Sequence, residues 1–430
     1  MSEVNVNVNV HHLTRVEGHG DITVDVKNGE IVKCEWSVVE APRFFEAMVR
    51  GQSYTEAPHI TSRICGICSI GHTVASLQGV EAAIGVKPSA QTTLLRKLIL
   101  HAETVQSHTL HVFYLAAPDL LGVNSVIPLA STHKEPLLKA IGLHRLANEW
   151  SAMLGGRTTH PINMVVNGWT RIPTEAELRG LRQQLLDAVP DFKAWVEIFK
   201  TLELPDFERE TEYLALQRDD EYAFYDGAIA STDNGATPAE RYRQTIKEFV
   251  VPYSTAKHTS ASRDSFMVGA LARYNINHEK LSPLAQWTAA ELGLKPVSFN
   301  PFMNNVAQLV ETAHCVEDST RIIDELLAAG LKEEDRSVEV KAGTGVGATE
   351  VPRGLLIHES TVDDDGIITG ANFIIPTNMN HNNIERDLRA MVPTVMDKSK
   401  EEVTLALEML VRAYDPCISC STHLLNVEFV

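Results

Sequence analysis

Residues 63–72 read RICGICSIGH and place Cys65 and Cys68 in a CxxC spacing. A second CxxC pair, Cys417 and Cys420, lies near the other end of the chain in DPCISCSTH. Two intervening residues let both sulfur atoms point the same way from one turn, so each pair can bind a metal ion. Four thiolates from opposite ends of the chain predict a closed sulfur site, which selects zinc, copper(I), nickel or iron over magnesium or calcium.

The spacing alone favours structural zinc, with a rubredoxin-like iron as the alternative, since zinc held by four cysteines is the commonest use of paired CxxC motifs. Two observations favour a metal with a working role. Nearly the whole chain separates the two pairs, whereas zinc ribbons keep theirs close in sequence. The pairs are also flanked by charged and imidazole side chains that an inert site does not need: Arg63, His72, Asp415 and His423.

The composition indicates a large globular protein of a reducing compartment. With 430 residues, 44% of them hydrophobic, the chain can bury a substantial core without disulfides. Of its six cysteines, only Cys34 and Cys315 lie outside the two pairs, and they are far apart in sequence, so a disulfide framework is not indicated. We therefore expect free thiolates and a cytoplasmic location.

Neither a membrane nor a nucleic acid is an expected partner. No apolar run approaches the roughly 20 residues of a membrane-spanning helix. Residues 1–18 have neither the basic nor the apolar region of a signal peptide. The formal net charge of −18 opposes nucleic-acid binding, which requires a concentrated basic surface.

The periodicity predicts a mainly α protein with small β-sheets, an α+β fold. Residues 21–38 alternate and turn at Asn28 and Gly29, which predicts a β-hairpin, and RVEGHG places Glu17 at the mouth of its first strand. Residues 40–57 predict a short helix that carries Glu46. A bundle of longer helices is expected at 73–85, 91–117, 135–154, 175–202, 238–249, 305–329 and 400–413.

Several smaller features complete this interpretation. Asp119 falls just past the end of the helix predicted over 91–117, whose histidines (His101, His108 and His111) are interpreted as core residues. The polar residues 205–237 predict a surface excursion. AGTGVGA (342–348) lacks the full glycine fingerprint of a nucleotide loop. Arg353 precedes a second hairpin that turns at 363–366, and PTNMNHNN (376–383) predicts a polar loop.

We expect one domain over residues 1–430. Its parts are an N-terminal hairpin at 14–38, a helical core at 73–330, a C-terminal hairpin and metal-binding segment at 350–423, and a short tail at 424–430.

Five separated stretches together resemble the large subunit of nickel–iron hydrogenases. They are RVEGHG, RICGIC with its following His72, AAPD after a long helix, EVPRG followed by a hairpin and IIPT, and DPCISCSTH. The resemblance runs from residue 14 to residue 423. RVEGHG and DPCISCSTH make it nearest to the cytoplasmic branch, which is linked to methyl viologen, to a heterodisulfide reductase or to similar soluble carriers. It implies reversible heterolytic cleavage of dihydrogen into two protons and two electrons.

The resemblance also implies the cofactor. Nickel would be held by all four thiolates, with Cys68 and Cys420 bridging to an iron that carries carbon monoxide and cyanide. Cys65 and Cys417 would be terminal ligands of nickel. Glu46 and His423 match a pair that binds a separate magnesium or iron ion.

Other matching residues acquire roles in the same way. Glu17 would relay a proton away from Cys417; a hairpin-edge carboxylate in a cap or salt bridge is the alternative. Arg353 would lie over the open metal face, paired with Asp119 and Asp415. His72 would donate a hydrogen bond to a bridging sulfur, or cap the following helix. Thr377 would hydrogen-bond a cyanide ligand, or serve as an ordinary turn threonine.

The resemblance leaves two matters open. The family is usually cut after the histidine that matches His423, whereas LLNVEFV follows it here. No cysteines remain for iron–sulfur clusters, so an iron–sulfur small subunit is expected, with further heterodisulfide-reductase, flavin or ferredoxin-type subunits and maturation factors. One rival interpretation is a zinc-stabilised scaffold. The other is a metal-free relative from the respiratory quinone-reductase core, and the presence of all four cysteines argues against this second one.

Overall fold

A computed structural model describes residues 5–422 of the chain. Its α-helices are α1 (Phe45–Val49), α2 (Ala57–Thr61), α3 (Ser69–Ile84), α4 (Ala90–Leu110), α5 (Ala117–Leu120), α6 (Leu129–Thr132), α7 (Lys134–Gly155), α8 (Glu175–Phe199), α9 (Ala270–Asn277), α10 (Pro283–Glu291), α11 (Asn304–Ala329), α12 (Pro376–Val395), α13 (Lys400–Ala413) and α14 (Ile418–Ser421). Within 5–422, none of these helices combines the length and the apolar character needed to cross a membrane.

The strands are short, and the longest of them lie in the N-terminal sheet and in the sheet that follows α11. They are β1 (Val6–Val10), β2 (Gly20–Lys27), β3 (Glu30–Val38), β4 (Met164–Val165), β5 (Gly168–Trp169), β6 (Glu212–Gln217), β7 (Ala228–Ser231), β8 (Gly235–Thr237), β9 (Lys247–Phe249), β10 (His258–Ser260), β11 (Phe266–Met267), β12 (Gly343–Val351), β13 (Gly354–Val362) and β14 (Ile368–Ile374). They form sheets in the orders β1-β2-β3, β4-β5, β11-β6-β7-β8, β10-β9 and β12-β13-β14. The predicted α+β class with small sheets is confirmed.

The N-terminal sheet contains the predicted hairpin and one more strand. Asn28 and Gly29 form the turn with φ of 52° and 81°, the left-handed conformation that this kind of hairpin turn requires. The sequence analysis missed β1, whose register pairs Val6 with Val26 and Val10 with Ile22. VNVNV has the period of two expected of a half-buried strand, so the signal was present in the sequence.

The long helix predicted over 91–117 extends further than expected. Ser89 caps α4 by accepting a hydrogen bond from the amide of Thr92 at 3.0 Å. After Leu110 the chain continues through a π-helical turn, His111–Ala116, directly into α5. Asp119 therefore lies inside the last helical turn, and the prediction that it falls past the end of the helix is wrong.

Glycines in β12 bring this strand against α3. A Cβ atom on Gly345 would lie 2.2 Å from the backbone nitrogen of Ala83, and one on Gly347 would lie 2.1 Å from the backbone oxygen of Ala75. Only glycine allows this approach. The AGTGVGA segment is therefore a strand in contact with a helix, consistent with rejecting a nucleotide loop there.

The second hairpin also agrees with the prediction. β13 and β14 flank the turn at 363–366, where Gly366 donates to the carbonyl of Asp363 at 3.0 Å. Because β12 leads directly into this hairpin, the contact between α3 and β12 fixes where Arg353 lies relative to the start of α3.

Two expectations for the region after α8 are wrong. Residues 205–237 contain β6, β7 and β8, and Tyr213 and Leu214 are fully buried there. Residues 238–249 form a 3₁₀ segment, Ala239–Gln244, followed by β9 rather than one helix. The sequence analysis also omitted α9 and α10.

PTNMNHNN is the first half of α12 and not a loop. Its polar side chains are buried and bonded inside the protein: the amide nitrogen of Asn378 donates to the carbonyl of Ser421 at 3.0 Å, and that of Asn383 donates to the hydroxyl of Tyr414 at 2.7 Å. Polar composition usually marks a surface segment, but polar side chains can also be buried in a helix when they have hydrogen-bond partners.

Candidate metal centre

The structure brings the four motif cysteines together, as the spacing predicted. All four are buried, and their sulfur atoms lie within 4.8 Å of one another. The sulfur of Cys65 is 3.1 Å from that of Cys68 and 3.4 Å from that of Cys417. The sulfur atoms of Cys417 and Cys420 are also in direct contact with each other.

The first pair is set up to exchange a proton for a metal. Burial disfavours a thiolate at Cys65, but the hydrogen bond with Cys68 and the charge of Arg353 outweigh burial and lower the pKa of Cys65. The same hydrogen bond, together with burial, holds the pKa of Cys68 well above its usual range. A soft metal binds the thiolate form, so it would displace any proton that these sulfurs carry. An all-sulfur donor set fits nickel, iron or zinc and not magnesium.

Distant parts of the chain hold the second pair in place. The guanidinium of Arg43 donates to the carbonyls of Ile64 (2.8 Å) and Ser419. The backbone nitrogen of Arg43 donates to the carbonyl of Thr422 at 2.7 Å. This single arginine thus links the start of the first cysteine motif to the middle of the second and to the residues just after it.

Glu17 lies alongside the second pair. Its backbone pairs with Cys417 in an isolated parallel bridge, and its carbonyl accepts from the amide of Ile418 at 2.9 Å. Its carboxylate accepts from the amide of Ser419 at 3.1 Å. Gly18 follows with φ of +86°, and a Cβ there would lie 2.7 Å from the Ser419 nitrogen, so glycine is needed for this approach.

Arg353 reaches the centre from the turn between β12 and β13. Its Nε and Nη2 atoms donate to the backbone carbonyl and the carboxylate of Asp415, each at 2.8 Å. Its Nη1 lies 3.9 Å from the sulfur of Cys68 and 3.3 Å from the hydroxyl of Ser107. Burial alone would lower its pKa, but Asp415 and the sulfurs raise it above the ordinary arginine value, so the guanidinium stays charged.

Asp119 does not pair with Arg353, and this part of the sequence interpretation is wrong. Its carboxylate accepts from Nε of Arg412 at 2.7 Å and from Nη2 of Arg15. On the α4–α5 segment, Ser107 is the residue that faces Arg353. Asp119 instead ties together the segments that lead into Glu17 and into the second cysteine motif.

Residues that the sequence analysis did not select support the Arg353 side of the centre. Gln308 donates from its amide nitrogen to the Asp415 carboxylate at 3.0 Å, and its side-chain oxygen is bonded to His111. His111 also contacts the carbonyl of Arg412 at 2.8 Å. His111 is thus a core residue, as predicted. No local pattern marks Gln308, because its partners come from distant segments.

A buried ionic network holds the segment just before Arg353. Arg273 donates to the carbonyls of Val351 (2.8 Å) and Pro352 (3.0 Å), and to the carboxylates of Glu311 (2.6 Å) and Glu350 (2.9 Å). Against the effect of burial, the charge of Arg273 lowers the pKa of Glu311 to about 2. Burial raises the pKa of Glu350 to about 7, although Arg273 opposes it.

Comparison with known proteins identifies this centre. A family model described as nickel-dependent hydrogenase matches residues 43–137 and 209–423, and one described as HoxL-like matches residues 7–41. The chain is 34% identical to the alpha chain of sulfhydrogenase 1 from Pyrococcus furiosus, over 99% of this chain and 100% of that protein. The chain belongs to the nickel-dependent hydrogenase family. Its four clustered cysteines form the nickel–iron site, and the family predicted from the motifs is confirmed.

Other similarities extend over the whole hydrogenase chain. It is 29% identical to a protein of the F420-non-reducing hydrogenase vhc from Methanococcus voltae, over 98% of this chain and 96% of that one. Its fold matches the crystal structure of an NAD⁺-reducing [NiFe]-hydrogenase in the H₂-reduced state with a TM-score of 0.88 and 28% identity, over 97% of this chain and 99% of that chain. These matches favour a catalytic hydrogenase subunit over the metal-free rival.

The remaining predicted residues of the hydrogenase are placed as follows. The hydroxyl of Thr377 accepts from the amide of Cys417 at 3.0 Å. Nδ1 of His72 lies 3.1 Å from Nε2 of His358. Glu46 is buried, and its carboxylate accepts from the amide of Phe373 at 3.2 Å. His423 and the tail at 424–430 lie outside the described residues, so the proposed magnesium pair stays a prediction.

A second cluster in the hydrogenase, formed by His101, His314 and Asp318, also has metal-ligating side chains. Nδ1 of His314 accepts from the amide of Ser282 at 3.1 Å, which leaves the proton on Nε2. Asp318 is bonded to Arg321 at 2.6 Å. Burial lowers the pKa of His101 to about 3, so this ring is neutral. These bonds favour a structural role between α4 and α11.

Proposed function

We propose that this hydrogenase subunit cleaves dihydrogen heterolytically and reversibly into two protons and two electrons. The observation that carries the proposal is the convergence of four buried sulfur atoms beside a buried, charged guanidinium, that of Arg353. A structural zinc ion requires the sulfurs but no cation against them. Asp415 offsets the cost of burying Arg353, and the guanidinium nevertheless lies 3.9 Å from a ligand sulfur, which supports a role in the reaction.

The four cysteines would hold nickel, with Cys68 and Cys420 also bridging to an iron that carries carbon monoxide and cyanide. Cys65 and Cys417 would bind nickel alone. When bound, such a centre supplies a soft, electron-rich site for dihydrogen. The complete burial of the cysteines supports this assignment, because it excludes water from the site.

Two side chains of the hydrogenase would act on the substrate. Glu17 would take the proton released at Cys417, since its backbone is paired with that residue and its carboxylate is held by the Ser419 amide. Arg353 would place positive charge over the open face of the centre, where Asp415 and Ser107 hold its guanidinium in a fixed orientation.

Further residues would tune the bound centre. Thr377 would offer its hydroxyl to a cyanide ligand, and its bond to the Cys417 amide supports a position beside that cysteine. His72 would donate to a bridging sulfur. Glu46 and His423 would bind a magnesium or iron ion near the C-terminus, which suits their oxygen and imidazole donors.

The released electrons require an iron–sulfur partner. Cys34 and Cys315 are both buried and belong to different elements, so they cannot hold a cluster together. We propose that a small subunit docks beside Arg43, where Val39, Phe44 and Met48 are exposed at 47%, 42% and 52%. Arg43 itself contacts both cysteine motifs, so this surface adjoins the centre.

We also propose that electrons then pass to a soluble acceptor through heterodisulfide-reductase, flavin or ferredoxin-type subunits. The name of the NAD⁺-reducing relative supports a soluble acceptor of this kind. A cytoplasmic location, maturation factors, and one domain over residues 1–430 belong to the same proposal. One continuous core that includes both Val8 and Cys420 supports the single domain.

An infrared spectrum of the purified holoenzyme tests the proposal. One carbonyl band and two cyanide bands are expected in the region where protein groups are nearly silent, together with nickel and iron in the metal analysis. A protein that lacks these bands and contains zinc instead would overturn the assignment.

A further inference from the structure

The start of α3 is capped in an unusual way. Cys68 is the N-cap residue, yet its side chain makes no capping bond. An N-cap side chain normally accepts from the second or third amide of its helix, here those of Ile70 and Gly71. These two amides are instead occupied by a residue from another helix.

That residue is Glu103 of α4. Its Oε2 accepts from the Ile70 amide at 2.8 Å, and its Oε1 accepts from the Gly71 amide at 3.1 Å. The side chain is fully buried. A Cβ on Gly71 would lie 2.9 Å from Oε1 of Glu103 and 2.0 Å from Cγ1 of Val351, so glycine is needed for the carboxylate to reach the helix end.

The two cysteines of the first motif differ in what their sulfurs accept. The sulfur of Cys65 accepts from the amides of Ile67 (3.3 Å) and Cys68 (3.0 Å). Within residues 5–422, the sulfur of Cys68 accepts from no backbone amide. Cys68, whose sulfur accepts no amide among these residues, is the cysteine proposed to bridge two metals. Cys65, whose sulfur accepts two amides, is the one proposed to bind nickel alone.

We infer that Glu103 is a positioning residue that caps α3 from outside and thereby keeps the Cys68 sulfur free to bridge. Without the carboxylate, the free amides at the helix end would draw the adjacent thiolate as their acceptor. Each such bond withdraws electron density from the sulfur and weakens it as a metal donor. This inference rests on the proposed function, because it concerns the bridging role of Cys68.

The test compares Glu103→Gln with wild type in the loaded holoenzyme. Glutamine has the size of glutamate, but its NH₂ group cannot accept an amide, so one helix amide loses its partner. We expect the carbonyl band to move to higher frequency, because a weaker sulfur donor leaves the iron less electron-rich. Turnover should fall by roughly ten- to a hundredfold, the range typical of residues that support metal ligands.

Glu81→Gln is the matched control. Glu81 is a buried carboxylate between the same two helices, where it pairs with Arg96 at 2.7 Å, and it accepts from the amide of Asn167, also at 2.7 Å. It lies near the other end of α3, away from Cys68. This variant should lose stability while its infrared bands stay at the wild-type positions.

The outcomes separate the inference from the function on which it rests. Unmoved bands in a fully loaded Glu103→Gln protein would overturn the role of Glu103 and leave the proposed function intact, whereas a wild type without bands would overturn the function itself. If Glu103→Gln does not load, Glu103→Asp keeps the carboxylate at shorter reach. A smaller shift in the same direction would support the inference, and wild-type band positions would overturn it.

Discussion

The two cysteine motifs share a spacing but differ in how the fold supports them. Cys68 immediately precedes α3, a helix of 16 residues that packs against β12, and Glu103 caps this helix end. Cys420 lies in α14, a helix of only four residues. Contacts from remote segments hold α14: the backbone of Glu17, the guanidinium of Arg43 and the hydroxyl of Thr377.

From this difference we expect the two cysteine pairs to reach their final geometry in a definite order. We expect the first pair to take most of its shape once α3, α4 and β12 have packed, since these elements supply the cap and the packing of the helix that follows Cys68. The second pair depends on both ends of the chain being in place. We therefore expect the first motif to be the rigid side of the centre and the second to be the side that adjusts as metal enters.

The largest effect, on metal content, is expected when the proposed bridging sulfur of the second motif is removed. Cys420→Ser replaces a soft donor by a hard one, and we expect the purified protein to lose essentially all its nickel and iron. Metal analysis measures this. Cys34→Ala, which alters a buried cysteine of β3, should retain both metals. Full metal content in Cys420→Ser would contradict the bridging assignment.

Glu17→Gln separates the two kinds of support that this residue gives the second motif. Its backbone bridge with Cys417 and the bond from the Ile418 amide to its carbonyl remain, so nickel should be retained. The loss of a proton acceptor should lower dihydrogen uptake with an artificial electron acceptor by about 10²- to 10⁴-fold. Glu30→Gln at the exposed start of β3 is the control. Normal uptake in a nickel-loaded Glu17→Gln protein would rule out the relay role.

Asp119→Asn should weaken the second motif through its connections to the rest of the chain. The variant leaves Arg412 and Arg15 without their shared carboxylate, and breaking a buried pair in this way costs about 3–5 kcal/mol of unfolding free energy. Denaturant unfolding measures the loss. Asp220→Asn, in an exposed pair with Arg218, should leave the unfolding free energy almost unchanged, because solvent screens such a pair. Equal losses in the two variants would refute this role.

The smallest expected effect is a pH dependence of the unfolding free energy. It concerns the ionic network around Arg273, which holds the segment before Arg353. The folded-state pKa of Glu311 is about 2, below the ordinary 4.5. The stability that Glu311 contributes is therefore present above about pH 4.5 and is lost as the pH falls towards 2. The difference in unfolding free energy between wild type and Glu311→Gln should thus be smaller at pH 3 than at pH 6. If this difference in unfolding free energy is the same at both pH values, the ion pair between Glu311 and Arg273 is not its source.

Sequence patterns identified the features that are local. The CxxC spacing, the turn at Asn28 and Gly29, and helices such as Lys400–Ala413 are each encoded by neighbouring residues, and the structure agrees with all of them. Arg353 and Asp415 were also paired correctly, because both lie in motifs of the resembling family.

Features that depend on the packing of remote segments were not accessible in this way. Asp119 and Ser107 lie on one continuous helical segment, and its orientation against the β12–β13 turn decides which of them faces Arg353. Glu103 reads as an ordinary helix residue until α3 is placed beside it. The polar run at the start of α12 indicates a loop only while its partners, such as Ser421 and Tyr414, are unknown.

The glycines of β12 set the distance between this strand and α3, the two elements that approach the metal centre. Because backbone touches backbone at Gly345 and Gly347, the separation of α3 from β12 has almost no tolerance. The helix of this contact begins just after Cys68 and the strand leads to Arg353, so the packing of α3 on β12 helps to set the gap between ligand sulfur and guanidinium. Anyone who wishes to retune that gap by design therefore has to work on the helix–strand contact, not only on the residues that line the centre.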